Sequence, residues 1–143
     1  MKTVSVIVPC YNEEEAAPIF YREFFRRTAE MDCRWELWFV DDGSTDGTLA
    51  ELRALRSQDE RVHFISFSRN FGKEAGLYAG LQHADGEYIS LIDADLQQRP
   101  EIVRDMVNIL DNQPQYDIVA AYQDRRNEGK VLSFFKKSFY KII

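Results

Sequence analysis

Short β-rich runs alternate with segments of helical length along most of the chain, and this alternation constrains the fold more than any other feature. The β-rich runs cover Thr3–Pro9, Trp35–Asp41, Val62–Ser68, Glu87–Asp93 and Tyr116–Tyr122. The helical segments cover about 14–31, 48–57 and 73–84, and a fourth begins near Pro100. Strand and helix in strict alternation are typical of a mostly parallel sheet with helices on both faces. We therefore predict an α/β domain over residues 1–123.

Residues 124–143 differ from the rest in charge and pattern. They hold six basic and two acidic side chains, so the preceding residues carry −10 of a net charge of −6. Val131, Phe135, Phe139 and Ile142 share one helical face. This pattern is typical of a basic amphipathic helix on a membrane surface or beside an acceptor, and equally of a helix packed on the sheet. The pattern runs to the last residue, so we expect a C-terminally truncated form of a longer parent.

Composition and missing motifs exclude several classes of protein. An acidic body repels nucleic-acid phosphates, so no nucleic acid is expected as a partner. No stretch reaches the about 18 apolar residues that cross a bilayer, and we expect the chain as given to be soluble. Cys10 and Cys33 lack metal-ligand spacing and are expected to be free thiols. No dinucleotide fingerprint or P-loop follows the strands. His63 and His83 are interpreted as a strand residue and a helix-surface residue.

The fourth β-rich run ends at Asp93, and Asp95 and Gln97 follow at intervals of two residues. In extended backbone, residues two apart point the same way, so both carboxylates are predicted to project to one side, with Gln97 in line if the extension persists. Oxygen-only ligands favour Mg²⁺ or Mn²⁺, which keeps positions open for phosphate oxygens. The other interpretation is helix capping. At the carboxyl end of a parallel strand, where ligands bind in such sheets, we predict a metal site.

The ends of the other strands supply further polar groups at the same predicted edge. In "VDDGSTDG", Ser44 and Asp46 are expected to cap the next helix. A carboxylate of Asp41 or Asp42 is free to accept hydrogen bonds from a base or a ribose, and Tyr11 offers a ring on which a base packs. In "SRNFGK", basic side chains flank a helix start, which suits phosphate.

Four ordered motifs, "VPCYNEE", "VDDGSTDGT", "RNFGKEAGLYAGLQHADGEYI" and "DADLQQRPE", resemble those of glycosyltransferase family 2. The resemblance covers about 3–122 and is strongest to the polyprenyl-phosphate glycosyltransferases, the bactoprenol glucosyltransferase and dolichol-phosphate mannose synthase group. It implies a GT-A nucleotide-diphospho-sugar transferase fold with a Rossmann-like sheet. It also implies an inverting transfer of a hexose, glucose foremost, from a UDP- or GDP-sugar to a polyprenyl phosphate. The expected location is the cytoplasmic face of a membrane.

The resemblance also implies roles for individual residues. It places Asp93, Asp95 and Gln97 on Mg²⁺ or Mn²⁺, and Asp95 takes the catalytic role through that metal. The substrate-binding residues that we expect from the resemblance and from the strand ends are Pro9, Tyr11, Glu13, Val40, Asp41, Asp42, Asn70, Lys73, Ala94, Arg125 and Arg126. The two arginines follow the fifth β-rich run and are interpreted as phosphate ligands or as solvated loop charges.

Three alternatives stay open at this point. The first is a non-catalytic module that binds nucleotide and metal. The second is a family 2 transferase with another acceptor, such as a glycan. The third is a receiver-like signalling domain with an acidic phosphoacceptor pocket. A receiver-like domain requires its acidic pair after the first strand, where this chain has "PCYNEE". The residues do not define the oligomeric state.

Overall fold

The computed structural model describes residues 1–122, which form four parallel strands and four helices. The strands are β1 (Lys2–Cys10), β2 (Cys33–Asp41), β3 (Val62–Ser66) and β4 (Tyr88–Leu91). The helices are α1 (Ala16–Thr28), α2 (Thr48–Gln58), α3 (Lys73–His83) and α4 (Glu101–Asn112). The predicted alternation is confirmed, and α4 begins directly after Pro100, whose fixed φ suits a helix start.

The strands lie in the order β3-β2-β1-β4, so the first strand of the chain sits in the middle of the sheet. β1 pairs along its whole length with β2, from Lys2 opposite Cys33 to Cys10 opposite Asp41. Ile7 of β1 lies opposite Leu91, the last residue of β4. Because every pair is parallel, the loops after β1, β2 and β4 emerge at one edge, as the sequence predicted.

The larger core lies between one face of the sheet and the helices α1, α2 and α4. Alternate residues of β1 point into it, as in any strand, and the consecutive buried residues of β1 show that both of its faces are covered. On α1, Phe20, Phe24 and Thr28 are buried on one face, as predicted, and the Phe24 ring packs edge-to-face on Trp35 with centroids 5.2 Å apart. Each buried aromatic side chain of this size stabilises the fold by about 1.5–3 kcal/mol.

The opposite face of the sheet is covered by α3, which packs unusually close to the strands. Gly76 and Gly80 are the buried residues of this helix. A Cβ at Gly76 would lie 3.6 Å from Val40, and one at Gly80 would lie 2.5 Å from Ile7. Helices therefore lie on both faces of the sheet, and the absence of side chains at two positions of α3 sets its distance from β1 and β2.

The predicted fifth strand, Tyr116–Tyr122, is wrong for the described structure. These residues form neither helix nor strand, and Ile118 is 83% exposed. A strand needs a hydrogen-bonded neighbour, and no described strand pairs with this segment. The predictions for 124–143, including Arg125 and Arg126, lie outside the described residues. Within 1–122, no helix combines the length and apolarity needed to cross a bilayer.

Candidate functional site

The loops after β1, β2 and β4 and the start of α3 enclose an open cavity of about 280 Å³ at the carboxyl edge of the sheet. Its volume is at the lower end of the range for small-molecule sites. Eight predicted site residues line it, namely Pro9, Tyr11, Glu13, Asp42, Lys73, Asp93, Ala94 and Asp95. Four others do not, namely Val40, Asp41, Asn70 and Gln97. The structure therefore gathers most of the predicted residues from four separate segments.

The acidic loop, residues 92–98, follows β4 and carries the two neighbouring aspartates. Asp93 and Asp95 both face the cavity, whereas Ala94 between them is buried. The backbone turns from Ala94 onward, and Leu96 has a φ of 60°, in the left-handed region that side chains disfavour. The extension therefore ends before Gln97, which is exposed and donates its backbone N–H to Asp95 at 3.1 Å. The condition under which Gln97 was expected to lie in line, a persisting extension, is not met in this conformation.

A lysine from α3 pairs with one of the two aspartates and offsets part of the negative charge of the acidic loop. Lys73 Nζ lies 2.7 Å from Asp93 Oδ1, and the two side chains are 57% and 38% exposed. Lys73 is the first residue of α3, so the ion pair joins the start of this helix to the loop after β4. An exposed pair of this kind adds no more than about 1 kcal/mol to stability. Its importance is that it places one positive charge among the carboxylates.

Glu13 shows the electrostatic character of the cavity. Burial raises the pKa of this carboxyl group above its usual range, and the negative charges of Asp95, Asp46 and Asp93 raise it further. The same charges favour any cation that enters the cavity, because a charge that destabilises an anion stabilises a cation at the same place. Among residues 1–122, the site is therefore an acidic concavity lined by one lysine, Lys73.

The loops after β1 and β2 hold each other in place through backbone and side-chain hydrogen bonds. Asn12, at φ 53°, donates its backbone N–H to Ser44 Oγ at 2.9 Å and accepts from Thr45 N at 2.8 Å. Glu13 N donates to Thr48 Oγ1 at 2.8 Å. Ser44 thus joins two loops instead of capping α2. These bonds fix the backbone on either side of Tyr11 and Glu13.

Val40 and Asp41 were expected to line the cavity and do not. Val40 is fully buried under α3. Asp41 is 2% exposed, and its oxygens accept from Ser44 N at 3.1 Å and from Ser66 Oγ at 3.0 Å. A buried carboxylate requires such partners, and these two hydrogen bonds hold Asp41 within the protein. Asn70 is exposed in the loop after β3.

The second aspartate of the pair, Asp42, supports the loop before α3. Its Oδ1 accepts from Phe71 N at 2.7 Å and its Oδ2 from Gly72 N at 3.1 Å. Gly43 lets the two loops meet, since a Cβ there would lie 2.2 Å from the backbone carbon of Arg69. Asp42 lines the cavity, but its oxygens accept hydrogen bonds that fix the backbone just before Lys73, the first residue of α3.

The carboxylates suit a hard divalent cation. Asp93 and Asp95 supply oxygen ligands to one cavity, and Mg²⁺ in proteins commonly takes one or two carboxylates and fills its other positions with water or phosphate oxygens. Within 1–122, no group of three His, Cys, Asp or Glu side chains is arranged as a metal-binding cluster. The residues therefore fit a cation shared with a phosphate ligand better than a closed structural metal site.

Two residues that the sequence did not single out also line the cavity. Cys10 ends β1, and burial raises the pKa of its thiol, so it stays neutral. Gly76 lies one turn into α3, where the missing side chain leaves space. The position of Cys10 at a strand end was a usable signal, because every neighbouring strand end also reaches the cavity. For Gly76 no sequence signal existed.

Comparison with known proteins assigns the chain to a family. A model described as Glycosyl transferase family 2 matches residues 5–141. This chain belongs to glycosyltransferase family 2. The predicted resemblance is thus confirmed, and the receiver-like alternative is wrong.

Two curated bacterial family 2 relatives cover almost the whole chain. The "Prophage bactoprenol glucosyl transferase homolog" of Escherichia coli (strain K12) is 39% identical over 97% of this chain and 45% of its own length. The "Undecaprenyl-phosphate 4-deoxy-4-formamido-L-arabinose transferase" of Salmonella choleraesuis (strain SC-B67) is 37% identical over 100% of this chain and 42% of its own length. The chain therefore spans less than half the length of these relatives.

A solved structure supports the fold assignment. The mannosyltransferase PcManGT from Pyrobaculum calidifontis, in complex with GDP-Man and Mn²⁺, superposes with a TM-score of 0.65 at 29% identity. The match covers 75% of this chain and 32% of that one. Together with the parallel sheet, it confirms the predicted GT-A fold of this family 2 chain.

Proposed function

We propose that this chain is the donor-binding part of an inverting glycosyltransferase that moves a hexose, glucose foremost, from a UDP- or GDP-sugar to a polyprenyl phosphate. The observation that carries the proposal is the convergence of Asp93, Asp95 and Lys73 on one acidic cavity at the carboxyl edge of the sheet. Family membership supports sugar transfer, and the names of the two curated relatives support the polyprenyl phosphate acceptor.

In this proposal, different residues of the cavity bind different parts of the sugar nucleotide. Tyr11 is 48% exposed at the end of β1, so its ring is free to pack on the base. Asp93 and Asp95 would hold Mg²⁺ or Mn²⁺, which supplies Lewis-acid assistance to the departing diphosphate when bound. Lys73, with three N–H donors on a flexible stem, suits the diphosphate oxygens. The sugar would then lie beside Ala94, a buried residue of the cavity lining.

The chemistry needs positioning more than it needs a base. An acceptor oxygen of the phosphate monoester attacks the anomeric carbon from the face opposite the diphosphate, the bond from that carbon to the diphosphate oxygen breaks, and the nucleoside diphosphate leaves. Since the attacking oxygen is already anionic, no side chain has to remove a proton. Orientation of the two reactants at the membrane's cytoplasmic face is then the main contribution of the protein. Arg125 and Arg126 remain predicted phosphate ligands.

A thermal-shift series tests the donor site. UDP or GDP with Mn²⁺ should raise the melting temperature of the purified chain, by on the order of 5 °C at saturation. Asp95→Ala should remove the Mn²⁺-dependent part of this shift, because one of two carboxylate ligands is lost. Asp85→Ala is the matched control, since Asp85 is exposed in the loop before β4, at the opposite edge of the sheet, and should leave the shift unchanged.

The absence of any shift with either nucleotide plus Mn²⁺ would contradict the donor-site proposal. A transfer assay with radiolabelled UDP-glucose and GDP-mannose against a polyprenyl phosphate then separates an active transferase from a module that binds without transfer. Labelled lipid product supports the proposed reaction. A nucleotide-dependent shift with no product from the chain, but product from a longer parent, would limit this chain to donor binding.

A further inference from the structure

Lys73 is the one cationic side chain among the described residues that line the cavity. The other charged side chains there are Glu13, Asp42, Asp93 and Asp95. Of these, Lys73 pairs with Asp93, and its Nζ lies 2.7 Å from Asp93 Oδ1. The two residues are twenty positions apart and belong to different segments of the fold. Its ammonium group therefore lies on a carboxylate that the proposed cation would also use.

The backbone beneath Lys73 is fixed, whereas its side chain is not. Asp42 accepts from the N–H groups of Phe71 and Gly72, the two residues directly before Lys73. This anchors the start of α3 to the end of β2. The lysine side chain itself is 57% exposed, and Asp93 is its hydrogen-bond partner. A fixed origin with a flexible four-carbon stem allows the ammonium group to move within the cavity without moving the helix.

We propose that Lys73 is an exchangeable counter-ion of the donor site. It pairs with Asp93 before the donor binds, leaves Asp93 when a divalent cation arrives, and then pairs with the diphosphate. This inference rests on the proposed function and adds the order of charges within that site. Two cations cannot share the same carboxylate oxygen at contact distance, because their repulsion at a few ångströms outweighs a weak exposed pair.

The exchange has a consequence for ligand order. Metal alone must displace the ammonium group from Asp93, and the displaced charge then repels the metal from close by. Metal that arrives with a diphosphate gives Lys73 a new anionic partner. Lys73 should therefore weaken the binding of free metal and strengthen the binding of the metal–nucleotide pair, so that the two ligands bind cooperatively.

The experiment measures Mn²⁺ alone by electron paramagnetic resonance and UDP by calorimetry in saturating Mn²⁺, on the 143-residue chain. Lys73→Met should bind free Mn²⁺ about threefold to tenfold more tightly and UDP about tenfold more weakly. Lys73→Arg should resemble the unmodified chain in its affinity for Mn²⁺. The matched control is Lys2→Met, because Lys2 forms a comparable exposed pair with Asp111 away from the cavity and should change neither affinity.

The opposite signs distinguish exchange from a merely structural role, which would weaken both ligands together. Unchanged or weaker Mn²⁺ binding by a folded Lys73→Met variant would overturn the inference, while the donor-site proposal stands if UDP plus Mn²⁺ still stabilises the unmodified chain. No Mn²⁺ binding by the unmodified chain, with or without UDP, would instead contradict the proposed function. Should Lys73→Met melt early, Lys73→Gln removes the same charge with a polar side chain and gives the same test.

Discussion

At the scale of single residues, the side-chain oxygens of the "DDG" segment at the end of β2 accept hydrogen bonds from within the protein and stabilise the neighbouring loops. Asp41 braces its own turn, Asp42 holds the loop before α3, and Gly43 permits the contact between the two loops. A consecutive pair of acids therefore has a structural explanation that does not require a base or a ribose. Asp42 also lines the cavity, where its carboxylate adds negative charge.

Gly43→Ala should destabilise the chain by about 2–4 kcal/mol. The residue sits at φ +68°, where a side chain costs roughly 1–2 kcal/mol, and its Cβ would lie 2.2 Å from backbone that cannot yield. Urea unfolding followed by circular dichroism measures the loss. Gly47→Ala in the same loop is the control, since its Cβ meets the movable end of Glu14 at 2.5 Å, and should cost under about 1 kcal/mol. Equal costs for the two variants would contradict this account.

At the scale of elements, α3 is the helix that connects the sheet to the cavity. Its buried glycines let it lie close to β1 and β2, and its first residue is Lys73. A change in the distance between α3 and the sheet would therefore move the lysine relative to the acidic loop. The packing of the two glycines against the sheet therefore helps to set the position of the Lys73 charge in the cavity.

Substitutions at the two buried glycines of α3 should have opposite effects on stability. Gly80→Ala places a Cβ 2.5 Å from fully buried Ile7, and overpacking of about 1–3 kcal/mol should exceed the gain in helix propensity. Gly76→Ala meets Val40 at an ordinary 3.6 Å and should stabilise the chain by about 0.5–1 kcal/mol. Differential scanning calorimetry compares both variants with the unmodified chain. A stabilised Gly80→Ala variant would show that Ile7 has room to move.

At the scale of the whole molecule, one carboxylate joins three elements on the side of the sheet away from the cavity. Asp59 follows α2, accepts from Tyr21 Oη of α1 at 2.8 Å, and pairs with Arg61, which leads into β3. Only 10% of its side chain is exposed. The hydrogen bond from the Arg61 guanidinium is the main reason that the pKa of Asp59 lies well below its usual range. The pair therefore couples global stability to pH.

The sign of this coupling follows from the lowered pKa. The stabilisation is complete above the unfolded pKa of about 3.9 and is lost as the pH falls through the lower folded pKa. Asp59→Asn should lose about 1–2 kcal/mol of unfolding free energy at pH 7, and the difference from the unmodified chain should shrink below about pH 4. Urea midpoints at pH 7, 4 and 2.5 measure it. Asp85→Asn is the control, and a difference that grows in acid would contradict the assignment.

The local sequence predicted what depends on local periodicity. Four strands and four helices lie within a few residues of their predicted bounds, and the buried face of α1 is the predicted one. The fifth strand failed because its apolar run, although suitable, has no described neighbour to pair with. Ser44 does not cap α2, because the N-cap position is Gly47, and the Ser44 hydroxyl group instead accepts from the backbone N–H of Asn12, more than thirty residues earlier in the chain.

The sequence by itself determined the α/β class, the family, and the fact that polar strand ends meet at one edge, because period, turn residues and ordered motifs are properties of neighbours along the chain. Only the tertiary structure decided which polar groups face the cavity. It turned Asp41 inward, ended the extension after β4 in a turn that begins at Ala94, and brought Lys73 onto Asp93. Each of these outcomes depends on distances between segments that the chain separates and packing brings together, which no local pattern encodes.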